Sequence, residues 1–168
     1  MLRFGLLFAA IIVALFAAEL TPPAQRYFVS PWTSGVAQVA TATMKAFDPA
    51  VVAHGPTVMS TKNGFAVTIL AGCNGVEAMI VLIAAMLAFP APWKHRLIGI
   101  AVGIVAIQAL NLLRIVSLFY LGQWDREVFE WAHLYVWQVL VMIDALVVWL
   151  VWLRTLPRSE PLDGAAPA

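Results

Sequence analysis

The sequence predicts an all-α integral membrane protein with about four transmembrane helices. Hydrophobic residues make up 62% of its 168 positions and charged residues only 11%, against roughly a quarter in soluble domains. Mean hydropathy is +0.89. Side chains this apolar can be hidden only in lipid, so a soluble globular domain and a disordered chain are both excluded. The net charge of +1 provides no basic surface for nucleic acid.

Four apolar stretches account for the predicted helices, because about 20 such residues are needed to cross the hydrocarbon core. They cover residues 4–18, 75–89, 97–120 and 134–153. We therefore expect one membrane domain, with a first span at about 4–20 and a three-helix core at 73–153. Residues 21–72 form an outer segment between them. The polar tail, 154–168, is expected to be disordered from residue 157 onward.

The first stretch is interpreted as an uncleaved anchor, although Arg3 before it resembles the basic start of a signal peptide. Cleavage after Ala17 or Ala18 would place Leu15 or Phe16 three residues back. Signal peptidase sites need a small residue at that position, so we expect this span to be retained.

Basic residues near the span ends set the predicted orientation. On one side of a four-span chain lie Arg3, Lys94, Arg96, Arg154 and Arg158. The other side carries three basic residues scattered over the long outer segment and an acidic stretch at 123–130. The positive-inside rule therefore places both termini in the cytoplasm and residues 21–72 outside.

The outer segment contains two predicted elements. Apolar residues recur at helical spacing over Pro31–Phe47, which predicts an amphipathic helix at the membrane surface. In Val58–Leu70, Asn63-Gly64 separates two short runs, and the second alternates between larger and smaller side chains. Asn-Gly is a strong turn signal, so a small β-hairpin is predicted over the outer mouth of the helices.

Cys73 is the only cysteine, which excludes an internal disulfide and a multi-cysteine metal cluster. It lies between glycines at the outer entry to the second predicted helix. The positive end of a helix dipole favours a thiolate there. A lone membrane cysteine can also serve only as a small packing residue or a palmitoylation site, so its function depends on its neighbours.

Arg114 is predicted to lie at the same membrane depth as Cys73. If both segments are helical, the chain runs about 24 Å inward across the membrane from Cys73 to Phe89 and about 26 Å back outward from Leu97 to Arg114. An arginine inside a span is costly, so it either faces the bundle interior and pairs there, or extends to the outer surface. Asn111 shares its helix face, being three residues away.

His133 begins the last predicted span at the same outer boundary. His133 can be interpreted as an aromatic-belt residue at the membrane interface. It can also be interpreted as an acid/base group at the same depth as the nucleophile Cys73 and the permanent cation Arg114. His54 and His95 are weaker candidates, because one lies in the outer segment and the other between basic residues on the cytoplasmic side.

Two acidic residues within the predicted spans complete the candidates. Glu77 follows Cys73 by one helical turn, so it is expected to pair with Arg114, tune the thiol, or make a helix-packing hydrogen bond. Asp144 lies about 16 Å deeper than His133, too far to orient it. We expect Asp144 to pair with another helix, with Gln108 as one candidate partner.

These motifs resemble those of the exosortase/archaeosortase family of integral-membrane cysteine transpeptidases. The matching features are Cys-Asn-Gly at 73–75, Asn-x-x-Arg at 111–114 and then His133, in this order. The resemblance covers about residues 64–152. It implies that Cys73 is the nucleophile, Arg114 its cationic partner and His133 the acid/base, without cofactor or metal. We take Asn74, Glu77 and Asn111 as supporting residues because they lie beside these three.

The chain differs from typical exosortases in size, because those carry additional N-terminal spans. It is most similar to the compact exosortase H type. The resemblance implies secreted substrates that end in a short signature of the Ile-Pro-Thr-Leu type, a transmembrane helix and a basic tail. It also implies a bacterial inner-membrane location and an acceptor that the sequence does not identify. Two other functions remain open, a non-enzymatic membrane subunit and an intramembrane hydrolase built around Asp144.

Overall fold

The computed structural model describes residues 2–156, so the predicted disorder of 157–168 lies outside the described residues. Three helical runs are long and apolar enough to cross a membrane, Leu2–Glu19, Trp93–Trp124 and Arg126–Arg154. This confirms the predicted all-α membrane fold. The remaining apolar helix, Val76–Ala88, has only 13 residues, fewer than the roughly 20 needed to cross the hydrocarbon core.

The N-terminal third of the described chain is helical. Helix α1, Leu2–Glu19, ends before Thr21, which caps the single turn α2, Pro22–Ala24. A π-helical turn, Gln25–Val29, then leads into α3, Ser30–Lys45. The predicted amphipathic helix is therefore present within one continuous helical run.

The predicted apolar stripe coincides with the fully buried face of α3 only at Ala40 and Met44. Its members are Trp32, Val36, Val39, Ala40, Met44 and Phe47. The buried residues of α3 are Thr33, Ala37, Ala40, Thr41 and Met44. Val39, in the predicted stripe, is 57% exposed, and Phe47 beyond the helix end is 63% exposed. Apolar side chains are tolerated on both faces of a helix next to lipid, so apolar periodicity alone does not identify its protein-facing side.

A three-stranded antiparallel sheet follows α3. Strands β1 (Val51–His54), β2 (Thr57–Ser60) and β3 (Ala66–Thr68) lie in the order β1-β2-β3. The predicted hairpin between β2 and β3 is confirmed. Strand β1 was not predicted, and it pairs with β2 through a tight turn at Gly55.

The second half of the chain forms the helical bundle. Helix α4, Val76–Ala88, packs against α1, against α5 (Trp93–Trp124) and against α7 (Trp137–Arg154). Its core contains Leu82, Met86, Ile107 and Trp152. A second core, with Val58, Ile69 and Phe119, joins the sheet to α3 and α5. The segment from β3 to α4 therefore passes between sheet and bundle.

The start of the last helical run differs from the prediction, which placed its first residue near 134. Asp125 ends α5 and caps the short helix α6, Arg126–Trp131, by accepting from the N–H groups of Glu127 and Val128 at 2.8 and 3.0 Å. A π-helical turn, Ala132–Val136, joins α6 to α7. The N-terminal capping preference of aspartate explains why a helix begins here.

Candidate active site

Cys73 lies in the loop between β3 and α4. Gly72 and Gly75 adopt left-handed backbone angles, with φ of 82° and 80°, which glycine adopts at little cost. The Cys73 N–H donates to the Leu70 carbonyl at 3.0 Å. A side chain at position 75 would also overlap the amide of Gln108. The loop is therefore tightly turned and closely packed against α5.

The thiol is paired with His133. Cys73 Sγ and His133 Nε2 are 3.2 Å apart, a distance within hydrogen-bonding reach of a nucleophile and its base. His133 lies in the π-helical turn before α7, and its ring stacks on Phe129 of α6 at 5.7 Å between centroids. The stacking fixes the plane of the imidazole beside the sulfur.

Arg114 approaches the same sulfur from α5. Its Nη2 lies 3.5 Å from Cys73 Sγ, and its Nη1 donates to the Gly72 carbonyl at 3.2 Å. The side chain is 3% exposed, so it is buried inside the protein and does not extend to the outer surface. No carboxylate among residues 2–156 forms an ion pair with it. Its positive charge is therefore available to an anion at the sulfur.

Glu77 does not pair with Arg114. Its carboxylate instead accepts the backbone N–H of Gly72, so it supports the loop from the first turn of α4. Burial raises the pKa of the Cys73 thiol, the Arg114 charge lowers it and the Glu77 charge raises it, with burial dominant. The expected bias toward a thiolate is therefore wrong, because desolvation disfavours the charged form more than Arg114 favours it.

Asn74 anchors the loop to α3 and α5. It is fully buried; its amide donates to Thr33 Oγ1 at 3.1 Å, and its Oδ1 accepts from the Val76 N–H at 3.0 Å. Its backbone carbonyl accepts from Trp32 Nε1 and Gln108 Nε2, both at 3.2 Å. Thr33, Trp32 and Gln108 were not predicted as site residues, because contacts some 40 residues apart leave no local pattern.

Asn111 lies beside Arg114 on α5, as expected from their spacing. It is 2% exposed, and its Nδ2 donates to Gln108 Oε1 at 3.4 Å. Neither Asn111 Oδ1 nor Arg114 Nε has a hydrogen-bond partner within the described chain. Both residues line a cavity of about 250 Å³ between α4, α5 and α7, which Glu77 and Gln138 also border.

A smaller cavity of about 100 Å³ lies on the sheet side of the site. Its walls are Cys73, Arg114, His133, Phe129 and the chain from Val67 to Leu70, together with residues of α5. Arg114 borders both cavities. Arg114 therefore lies between the two cavities, whereas Cys73 and His133 line only the smaller one.

The other polar candidates do not join this cluster. Gln108 bonds to Asn74 and Asn111, so the expected pairing of Asp144 with Gln108 is wrong, and Asp144 Oδ2 has no partner in residues 2–156. His54 ends strand β1, and the His95 carbonyl accepts from Trp152. No group of three potential metal ligands occurs in the part of the chain that the structure describes.

Comparison with known proteins identifies the family. A sequence model described as transmembrane exosortase matches residues 2–152, which is most of the chain. The chain therefore belongs to the transmembrane exosortase family, whose general role is that of membrane transpeptidases in protein sorting. No curated protein and no solved structure matches it in the other two comparisons.

The charges around the thiol predict opposite effects of two substitutions on its alkylation. Glu77→Gln keeps an acceptor for Gly72 but removes a charge that raises the thiol pKa. Arg114→Gln removes a charge that lowers this pKa. At a fixed neutral pH, we expect Glu77→Gln to alkylate about three- to tenfold faster than wild type and Arg114→Gln to alkylate slower by a similar factor. Equal rates in all three proteins would show that these charges do not control thiol ionisation.

Proposed function

We propose that the chain is a membrane cysteine transpeptidase that removes C-terminal sorting signals from secreted proteins and transfers these proteins to an acceptor. Family membership supports the general role. The observation that carries the specific mechanism is the convergence of His133 and Arg114 on the Cys73 sulfur, at 3.2 and 3.5 Å. A non-enzymatic subunit would have no need to bury an arginine without a carboxylate partner beside a thiol.

The first half of the reaction forms a thioester. Because its pKa is raised, the resting thiol is protonated, so His133 first accepts the proton from Cys73 Sγ. The sulfur then attacks the scissile carbonyl, and Arg114 stabilises the negative charge, first on sulfur and then on the carbonyl oxygen. When the C–N bond breaks, His133 returns the proton to the leaving amine.

The second half releases the protein from the enzyme. An acceptor nucleophile attacks the thioester carbonyl, His133 accepts its proton, and the thiol is regenerated. Water as acceptor gives a hydrolytic product, whereas an amine or hydroxyl gives a transfer product.

The larger cavity suits the membrane-embedded part of the substrate. It begins at the polar Glu77, Arg114 and Gln138 and continues to apolar Met142 and Ala145 deeper along α7. An apolar helix that follows the scissile bond would dock against the outside of α4 and α7 beside this cavity, with its side chains entering the opening. The polar groups at its upper end would face the peptide backbone where that helix begins.

A signature-containing reporter tests the function. It carries an exported tag, an Ile-Pro-Thr-Leu segment, an apolar helix and an arginine-rich tail, and is co-expressed with the enzyme. We expect tail removal and a hydroxylamine-sensitive adduct of tag and enzyme, whereas a reporter without the signature segment stays intact. An intact signature reporter in the presence of accumulated enzyme would contradict the proposal.

The proposed topology places Cys73 on the outer face of the bacterial inner membrane and both termini in the cytoplasm. It requires α4 and its flanking residues to complete a fourth crossing beside the three long helical runs. A membrane-impermeant thiol reagent is therefore expected to label Cys73 in intact spheroplasts and not in sealed inverted vesicles. Because the chain has one cysteine, every label reports this site. Labelling from the inverted vesicles alone would reverse the topology.

Arg114→Lys is expected to lower the rate of reporter processing by about 100-fold, the range for loss of an oxyanion donor. The guanidinium contacts the Gly72 carbonyl and the thiol with two separate nitrogens, whereas an ammonium group lacks this planar fork. The rate is measured under single-turnover conditions with matched enzyme levels. A rate near that of wild type would reduce the role of Arg114 to that of a point charge.

A further inference from the structure

We infer that the free edge of strand β3 binds the extended peptide segment that precedes the scissile bond. This inference rests on the proposed function and adds the binding mode of the acyl part of the substrate. Strand β3 is the terminal strand of the sheet, because the order is β1-β2-β3. It leads directly into the loop that carries Cys73.

The ladder shows which backbone groups of β3 are free. The Ser60 N–H donates to the Phe65 carbonyl, and the Ile69 N–H donates to the Pro56 carbonyl, both at 2.9 Å. Phe65 and Ile69 therefore direct their backbone groups toward β2. Antiparallel pairing alternates, so the N–H and C=O groups of Ala66 and Thr68 point away from β2. No described residue bonds to them, and both residues are exposed. The edge therefore offers donors and acceptors in the repeat of an added strand.

The free edge runs into the reactive groups. The cavity of about 100 Å³ is bordered by Val67 to Leu70 on one side, by Phe129 and His133 on the other, and by Cys73 at the loop. This volume is too small for a helix of roughly 10 Å diameter, so a substrate backbone that reaches the thiol here must be extended. A peptide on the edge of β3 would thus bring a backbone carbonyl to the thiol.

The strand is firmly held, as a template for pairing must be. Val67 and Ile69 pack into the core shared with α3 and α5, and Ile69 is 3% exposed. The side chains of Thr57 and Thr68 also bond to each other across the hairpin at 2.9 Å. Pairing therefore costs the enzyme little ordering, and the backbone contacts are independent of substrate side chains.

The direction of the bound segment follows from the position of the bundle. Residues after the scissile bond lead into an apolar helix, so they leave toward α4 and α7. Residues before it must extend back along β3, away from Cys73. The substrate segment therefore runs parallel to β3, and every second residue presents its side chain to the same face.

Cysteine crosslinking tests the inference in the full-length enzyme with the signature reporter. Ala66→Cys is combined with Cys73→Ala, and single cysteines are scanned through the reporter residues before the signature. We expect oxidative crosslinks at alternate reporter positions, and none from Lys62→Cys at the hairpin turn. Crosslinks without this two-residue repeat, none at all, or only Ala66→Cys homodimers would overturn the inference.

A proline substitution provides the second test. Thr68→Pro removes the N–H on the free edge without removing a hydrogen bond to β2. Thr68→Val is the matched control, because it loses the hydroxyl but keeps the N–H. We expect Thr68→Pro to process the reporter about tenfold or more slowly than Thr68→Val, as for loss of one or two backbone hydrogen bonds. Equal processing would overturn the inference while leaving the proposed function intact. The Cys73 alkylation rate of both variants checks that the site is folded.

Discussion

Cys73→Ala is expected to abolish reporter processing, with a loss on the order of 10⁴-fold or more, as when a covalent nucleophile is removed. The reason is chemical, because His133 and Arg114 both contact the Cys73 sulfur directly and the chain has no other thiol. Cys73→Ser is expected to lose nearly as much, since a hydroxyl is far less readily ionised than a thiol. Tail removal is measured by the size of the reporter and by mass spectrometry of the released protein.

His54→Gln is the matched control for this prediction, because His54 is exposed at the end of β1 and away from the site. It should process the reporter at the wild-type rate. Processing by Cys73→Ala within tenfold of wild type would exclude a thioester and would return attention to Asp144, whose Oδ2 is buried and lacks a partner in the described chain.

His133→Gln is expected to lower processing by about 10²- to 10⁴-fold, the contribution of general acid–base catalysis. The imidazole must take the proton from a thiol whose pKa burial raises, and His133 and Arg114 are the described side chains that hydrogen-bond to the sulfur. Without the base, attack depends on the spontaneously ionised thiol. The residual rate should therefore rise as the pH increases toward the thiol pKa.

The pH profile separates this role from a structural one. If His133 only packs against Phe129, His133→Gln should change the rate without a new alkaline rise. Alkylation of Cys73 that is no faster than in a denatured control indicates that the loop is folded, because unfolding would remove the burial that raises the thiol pKa. A processing rate within threefold of wild type at neutral pH would contradict the assignment of His133 as the base.

Local patterns predict the membrane fold, the β2–β3 hairpin and the amphipathic helix. Apolar length determines the spans, and Asn63-Gly64 signals the turn. Helix spacing also places Arg114 close to the level of Cys73, because α4 and α5 are regular helices and Cys73 lies only three residues before α4. These features depend on residues close together in the chain, so the sequence alone specifies them.

Features that depend on distant contacts or on competing energies were missed or wrong. The anchoring of Asn74 by Thr33 and Trp32 joins segments about 40 residues apart. The thiol pKa depends on burial, which a sequence does not report, so the helix dipole was given too much weight. The start of the last helical run depends on Asp125, whose capping role was not recognised within an acidic stretch.

The π-helical turn at Ala132–Val136 determines the direction in which the His133 imidazole points relative to α7. A π-helical turn contains one residue more than an α-helical turn. Each residue in a helix advances the rotation by about 100°, so the extra residue changes the direction in which the side chains before it point, relative to those after it. Removing one residue there would leave α7 among its neighbours but turn His133 away from the sulfur. The number of residues between His133 and α7 is therefore constrained in steps of a single residue.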